Sequence, residues 1–255
     1  MDLLHAFTHA DEAGFEKISI PYIDYLDQRI VISDKTKSDL INQYEQLDIS
    51  KSLNERIHVI RNRINLTCSQ LPPKSFDKID IAYIGRNSPE KRVHIMGKIA
   101  SKLAATNNRV RINFVGEHLE NGVNPEDVGN CIFYGPIYDT HQMEQLYSKF
   151  HCIIMTSSRE GIPVIIMEGM AFGCVPITTN VGGISEIVQH QTTGILVDND
   201  LDINKMVDEF CSQIDLLFEN QNQYKRLSKN CFNYAQKAFS SKTFNSEYNK
   251  LLTPQ

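Results

Sequence analysis

The sequence predicts an α/β protein: a Rossmann-like parallel sheet flanked by helices, with part of a second α/β domain ahead of it. Two observations predict this. Short, β-branched apolar runs alternate with amphipathic stretches of helical spacing, the pattern of parallel strands covered by helices on both faces. Several runs end at a glycine or a small polar loop, as strands do where their carboxyl ends open onto a ligand crevice. The 255 residues allow one large domain or two small ones.

The elements follow in order. Residues 29–33 (RIVIS) read as a short buried strand, and Ser33 and Asp34 offer a cap to the helix KTKSDLINQYEQL. A second strand, IHVI, spans residues 57–60. The polar stretch 61–78, broken by Pro72 and Pro73, reads as a linker. A fresh pattern opens at Ile79. DIAYIG, VRINFVG and CIFYG are strands that end at Gly85, Gly116 and Gly135. HIMGKIASKLAAT and HQMEQLYSKF have helical spacing, and HCIIMT is a strand. VIIMEGMAFG is a helix expected to begin near Ile162, with Gly173 placed for its C-terminal cap. VPITT and GILVD are the last strands, with NVGG a loop before a helix start, and two or three helices fill residues 203–252. The boundaries expected are 1–76 for the partial domain and linker, and 77–255 for the main one.

Composition removes several classes. With 41% hydrophobic and 22% charged residues, the chain is globular rather than disordered. A net charge of −5 argues against nucleic acid as a partner. No apolar run approaches the ~18–20 residues of a membrane span, and the start lacks the basic and apolar regions of a signal peptide. The six cysteines form no CxxC pair; Cys131, Cys152 and Cys174 read as reduced core residues of a cytoplasmic protein. The eight histidines form no HxxxH pair, so no metal is expected. There is no GxSxG elbow, no GxxxxGK[ST] and no GxGxxG after the first strand.

The loops at residues 85–91, 116–117, 135–138, 157–163 and 180–183 are expected to converge on one crevice. In the first, Arg86 supplies a fork for two phosphate oxygens and Lys91 a point charge, together suited to a diphosphate; taken alone such a loop is more often a solvated surface. In SSREGIPVIIMEGMAFG, Glu160 lies in the loop and Glu168 eight positions on, between Ile165 and Phe172 on one helical face. A carboxylate among apolar neighbours needs hydrogen-bond partners, which a pair of sugar hydroxyls would supply. The helix start offers free N–H groups and a positive dipole end to an anion. The bland account has Glu160 capping the helix and Glu168 in solvent. NVGG is an anion-binding nest or only a flexible turn.

Taken in order, GR…EK, FVG, FYG, SSREGIPVIIMEGMAFGCVPITTNVGGISEIV and GILVD closely resemble the donor half of a retaining GT-B glycosyltransferase of the family 4 type, the glycosyl transferases group 1. The resemblance covers residues 77–252. It reaches back through RIVISDKTKSDLI and RIHVIRNRINL, where Arg61 stands in the usual place of Pro and Arg63 in that of Gly. It implies an E-x7-E motif of Glu160 and Glu168. Glu160 is then the catalytic carboxylate beside the donor sugar, and Glu168 grips the ribose. Arg86 and Lys91 hold the diphosphate, with the backbone N–H groups of Gly161, Ile162 and Val164. Gly85, Gly116 and Gly135 border the nucleotide pocket.

The function implied is transfer of a sugar from a UDP-, GDP- or ADP-linked donor to a glycan or lipid-linked acceptor. It proceeds with retention, with no metal and no cofactor, on the cytoplasmic side of a membrane and peripheral to it. The alternative is a nucleotide-sugar-binding module without turnover; an epimerase of similar fold matches the glutamate loop less well. Such enzymes have two lobes, and about 100 residues of the first are missing, judged against ordinary domain sizes, to be supplied in trans if encoded separately. His5 or His9 would then mark the end of a late strand of that lobe.

Overall fold

The structure, a computed structural model, describes residues 2–4, 14–128, 131–199 and 202–252. His5 and His9 lie outside the described residues. Three short strands, β1 (Asp2–Leu4), β2 (Arg29–Val31) and β3 (Ile57–Val59), form a small parallel sheet in that order. The first two are matched by expectation at only one place: β2 ends at Val31 because Ser33 is already the N-cap of the next helix, and nothing in the sequence announced β1. A short helix, α1 (Phe15–Ile18), precedes β2, and α2 (Asp34–Gln46) links it to β3. Residues 60–69 carry neither helix nor strand.

The larger sheet has six parallel strands: β4 (Ile79–Ile84), β5 (Val110–Val115), β6 (Cys131–Phe133), β7 (Cys152–Met155), β8 (Val175–Thr179) and β9 (Ile195–Val197). Their order is β6-β5-β4-β7-β8-β9. Successive strands are joined by α3 (Val93–Thr106) after β4, α4 (Thr140–Lys149) after β6 and α5 (Val164–Ala171) after β7. Three helices follow β9: α6 (Ile203–Glu219), α7 (Gln221–Ala238) and α8 (Ser241–Leu252). Every residue of β7 and β8 is buried, as strands covered on both faces must be. One face packs Ile81, Phe114 and Ile154 against α3 and α6; the other packs Ile153 and Met155 against Ile166, Met170 and the end of α7. Ile32 and Ile64 of the leading segment join this second cluster, so the small sheet is tied into the large core.

Three expectations need correction. Helix α5 begins at Val164 rather than Ile162, because a residue before proline is driven out of the helical region; Pro163 becomes the N-cap in extended geometry. The segment after NVGG makes only a single 3-10 turn, Ile184–Glu186. Its Ile184, Ile187 and Val188 are β-branched, and the Gln189 N–H turns onto the Thr193 hydroxyl at 2.9 Å. Cys131 is half-buried on edge strand β6, whereas Cys152 and Cys174 are buried.

His151, at the start of β7, is a buried switch on stability. Its Nδ1 accepts from the Asp80 N–H (3.1 Å) and its Nε2–H donates to the Ser75 carbonyl (2.8 Å), which fixes a neutral ring. Burial first, and the Lys74 ammonium second, press its pKa down to about 4. The unfolded chain, with an ordinary imidazole, therefore takes up a proton that the folded chain refuses. Stability contributed by the neutral ring is complete above about pH 6.5 and is lost as pH falls towards 4, at about 1.4 kcal/mol per pH unit at steepest. Urea unfolding of His151→Gln should show a flatter acid limb than the parent; parallel limbs would refute this.

Candidate active site

The strand order places a topological switch between β4 and β7: from there the chain builds β5 and β6 to one side, β8 and β9 to the other. In open parallel sheets the crevice outside the carboxyl ends at such a point is the ligand site. Two loops meet there, 85–92 after β4 and 156–163 after β7.

Backbone contacts hold these loops together. The Ser158 N–H donates to the Glu90 carbonyl (2.8 Å) and the Thr156 hydroxyl to the Lys91 carbonyl (3.0 Å). Arg92, in left-handed geometry at φ 48°, clamps the carbonyls of Thr156 (2.6 Å) and Ser157 (2.8 Å) and the Asn199 side chain (2.6 Å). Sequence reasoning read Arg92 only as part of a loop. Its guanidinium is committed to the scaffold, which frees Lys91 for other work.

Lys91 Nζ lies 2.5 Å from a carboxylate oxygen of Glu160, with side-chain exposures of 18% and 10%. The pair sits beside the start of α5, which has no side-chain cap, so the first N–H groups of that helix, Val164 among them, face outward unclaimed by a side chain. The side chain of Ile162 is buried and that of Val164 exposed. The glycine loop after β8 supports Glu160 from behind: the Gly183 N–H donates to the Gly161 carbonyl (3.1 Å). The Ser157 hydroxyl, fully buried beneath this loop, has no hydrogen-bond partner.

Glu168 lies in the second turn of α5. Burial raises its pKa, and a hydrogen bond from the Tyr147 hydroxyl (2.8 Å) partly offsets this. Tyr147 is itself 3% exposed and stacks on Phe172 with ring centroids 5.7 Å apart. The sequence foresaw the apolar flank at Phe172 but not Tyr147, which comes from α4. Gly85, Gly116 and Gly135 are brought side by side at the ends of β4, β5 and β6: the Gly85 N–H donates to Val115 and the Gly116 N–H to Gly135. Arg86 stands apart, its side chain 82% exposed and 3.9 Å from the Glu90 carboxylate.

A cleft of about 790 Å³ runs between α2 and these loops, lined by Thr36, Asp39, Gln43, Gln46, Arg159 and Glu160. That is the size of a small-molecule site. Of the two motif glutamates, Glu160 borders it and Glu168 does not. Among the described residues no helix is long and apolar enough to cross a membrane.

Comparison with known proteins converges on the same reading. The family model for glycosyl transferases group 1 matches residues 70–234. The putative glycosyltransferase YtcC of Bacillus subtilis (strain 168) is 35% identical over 92 residues, 34% of this chain and 22% of that protein. Curated relatives are matched over 22% to 62% of their own length. Anabaena HepE, solved with UDP and glucose, superposes with a TM-score of 0.80 at 18% identity, covering 99% of this chain and 71% of that one. A TarM mutant of S. aureus, solved with Fondaparinux, alpha-GlcNAc-glycerol and UDP, gives 0.78 at 19% identity, covering 99% and 50%. At such identity the solved structures speak to the fold, which is that of GT-B glycosyltransferases. By its sequence model and by its architecture, the chain belongs to the glycosyl transferases group 1 family.

Proposed function

We propose that the chain binds a UDP-, GDP- or ADP-linked sugar at the switch of its six-stranded sheet and transfers the sugar, with retention and without a metal ion, to a glycan or lipid-linked acceptor. Residues 77–255 form the donor domain, and residues 1–76 belong to the acceptor side. The observation that carries this reading is the Lys91–Glu160 pair at the uncapped start of α5, with Glu168 farther along the same helix. The UDP in the HepE and TarM structures supports a nucleotide donor.

The chemistry follows from charge. When the anomeric C–O bond to the diphosphate breaks, negative charge gathers on the departing group, and the acceptor oxygen bonds to the same face of the sugar as its proton passes to the departing phosphate oxygen. Lys91, the N–H groups of Gly161, Ile162 and Val164, and Arg86 swinging in from solvent would meet that charge, the task otherwise given to a divalent metal. A diphosphate carries more charge than one carboxylate, so it displaces Glu160 from Lys91. Glu160 is then left beside the sugar as the catalytic carboxylate. Glu168 accepts from the ribose hydroxyls. No cofactor enters, and the work is placed on the cytoplasmic face of a membrane.

Calorimetry with UDP, GDP and ADP tests this. Glu168→Ala should weaken the preferred nucleotide by about 10- to 100-fold, the worth of hydrogen bonds to a charged group. Absence of any nucleotide binding between micromolar and millimolar concentrations would overturn the donor site.

A further inference from the structure

We infer that Glu186 is a positioning residue: reaching from the turn after β8, it caps α2 from outside that helix and fixes the wall that faces Glu160 across the cleft. Its functional consequence rests on the donor site proposed above; the cap itself does not.

The first N–H groups of a helix have no partner within it. In α2 the Thr36 N–H is taken by the Ser33 hydroxyl (3.0 Å), the local cap that sequence foresaw. The Lys37 N–H reaches the Ser33 carbonyl (3.1 Å). That leaves Asp34 and Lys35. Both donate to the one carboxylate of Glu186, at 3.0 and 2.9 Å, across more than 150 positions of sequence. A carboxylate there also complements the positive end of the helix dipole. Arg61 braces the same carboxylate at 2.8 Å and reaches Asp34 at 2.8 Å.

The other end of the turn touches the donor loop. The Gly183 N–H holds the Gly161 carbonyl, and a Cβ on Gly183 would lie 2.8 Å from Ser33 and 3.1 Å from that carbonyl. The Tyr234 hydroxyl holds the Glu186 carbonyl at 3.2 Å. One short turn thus has the Glu160 loop on one side and the start of α2 on the other. Thr36, Asp39, Gln43 and Gln46 line the cleft from α2. Moving the helix start moves that wall.

Hydrogen exchange of the full chain tests the cap. In Glu186→Gln, amides of residues 34–46 should exchange at least tenfold faster, with α5 and a Glu126→Gln control unchanged; Arg61→Gln should lie between. Unchanged exchange in α2, or equal acceleration in α5, would overturn the inference. Kinetics with UDP-glucose as the probe donor supply the second readout. Glu186→Gln should lower kcat about tenfold with donor KM within twofold, whereas a parallel loss of nucleotide affinity would show general loosening and refute the role. A parent chain that binds no UDP, GDP or ADP would sink the donor site, while the exchange result would still decide the cap.

Discussion

Lys91→Ala is expected to lower sugar transfer by about 10²–10³-fold in kcat, the usual cost of removing one preorganised donor from developing charge. Lys91 is held by contacts to its own carbonyl from Tyr83 (3.2 Å) and Thr156, so its ammonium is placed before a ligand arrives. The substitution also strands Glu160, a carboxylate only 10% exposed, and folding stability should fall by about 1–2 kcal/mol. Arg86→Ala should do far less, because that side chain lies in solvent and must pay for its own ordering on arrival. Isothermal titration separates the roles: Lys91→Ala should cost affinity for pyrophosphate as much as for the nucleoside diphosphate, and leave the nucleoside untouched. Equal loss for nucleoside and diphosphate would remove Lys91 from its assigned place.

Gly182→Ala should be the most damaging single methyl group in the site, at about 3 kcal/mol of stability with loss of nucleotide binding. Gly182 has φ +56°, where a Cβ costs about 1–2 kcal/mol in its own right. Here the Cβ would also lie 1.7 Å from the Glu160 carbonyl oxygen, a backbone atom that cannot rotate away. Either the turn or the Glu160 loop must shift, and with it the carboxylate. Gly135→Ala is the matched control: φ is +67°, but nothing lies within 4 Å of the added methyl. Only the conformational cost remains, about 1–2 kcal/mol. Thermal unfolding of the two variants should therefore separate them; equal melting temperatures would show that the contact with Glu160 is not rigid.

What the sequence disclosed divides along a physical line. Strands of the large sheet were legible because each is a short apolar run, and three of the six are closed by a glycine, as IAYIG and INFVG are. The placement of Glu160 in a loop and Glu168 in the helix after it was legible because the spacing is local; that only Glu160 borders the cleft was not. Tyr147 was not, since its hydroxyl meets Glu168 from a different helix and nothing local marks it. Arg92 read as one more loop cation, although its guanidinium ties two loops together through carbonyls. The start of α5 was misplaced by two residues because apolar periodicity runs through Ile162, and only the conformational demand of Pro163 stops it. Glu186 lay in plain view in GGISEIV, yet its partners are amides with no sequence signature.

The row of Gly85, Gly116 and Gly135 has a consequence for which positions of the site can be varied. A Cβ on Gly116 would lie 1.9 Å from the Gly85 carbonyl oxygen, so the middle glycine of the row tolerates no side chain, whereas Gly85 and Gly135 have room for one. Libraries that vary Gly116 should therefore return far fewer folded clones than libraries that vary Gly135. Tyr138, 88% exposed just beyond Gly135, is under no such packing constraint.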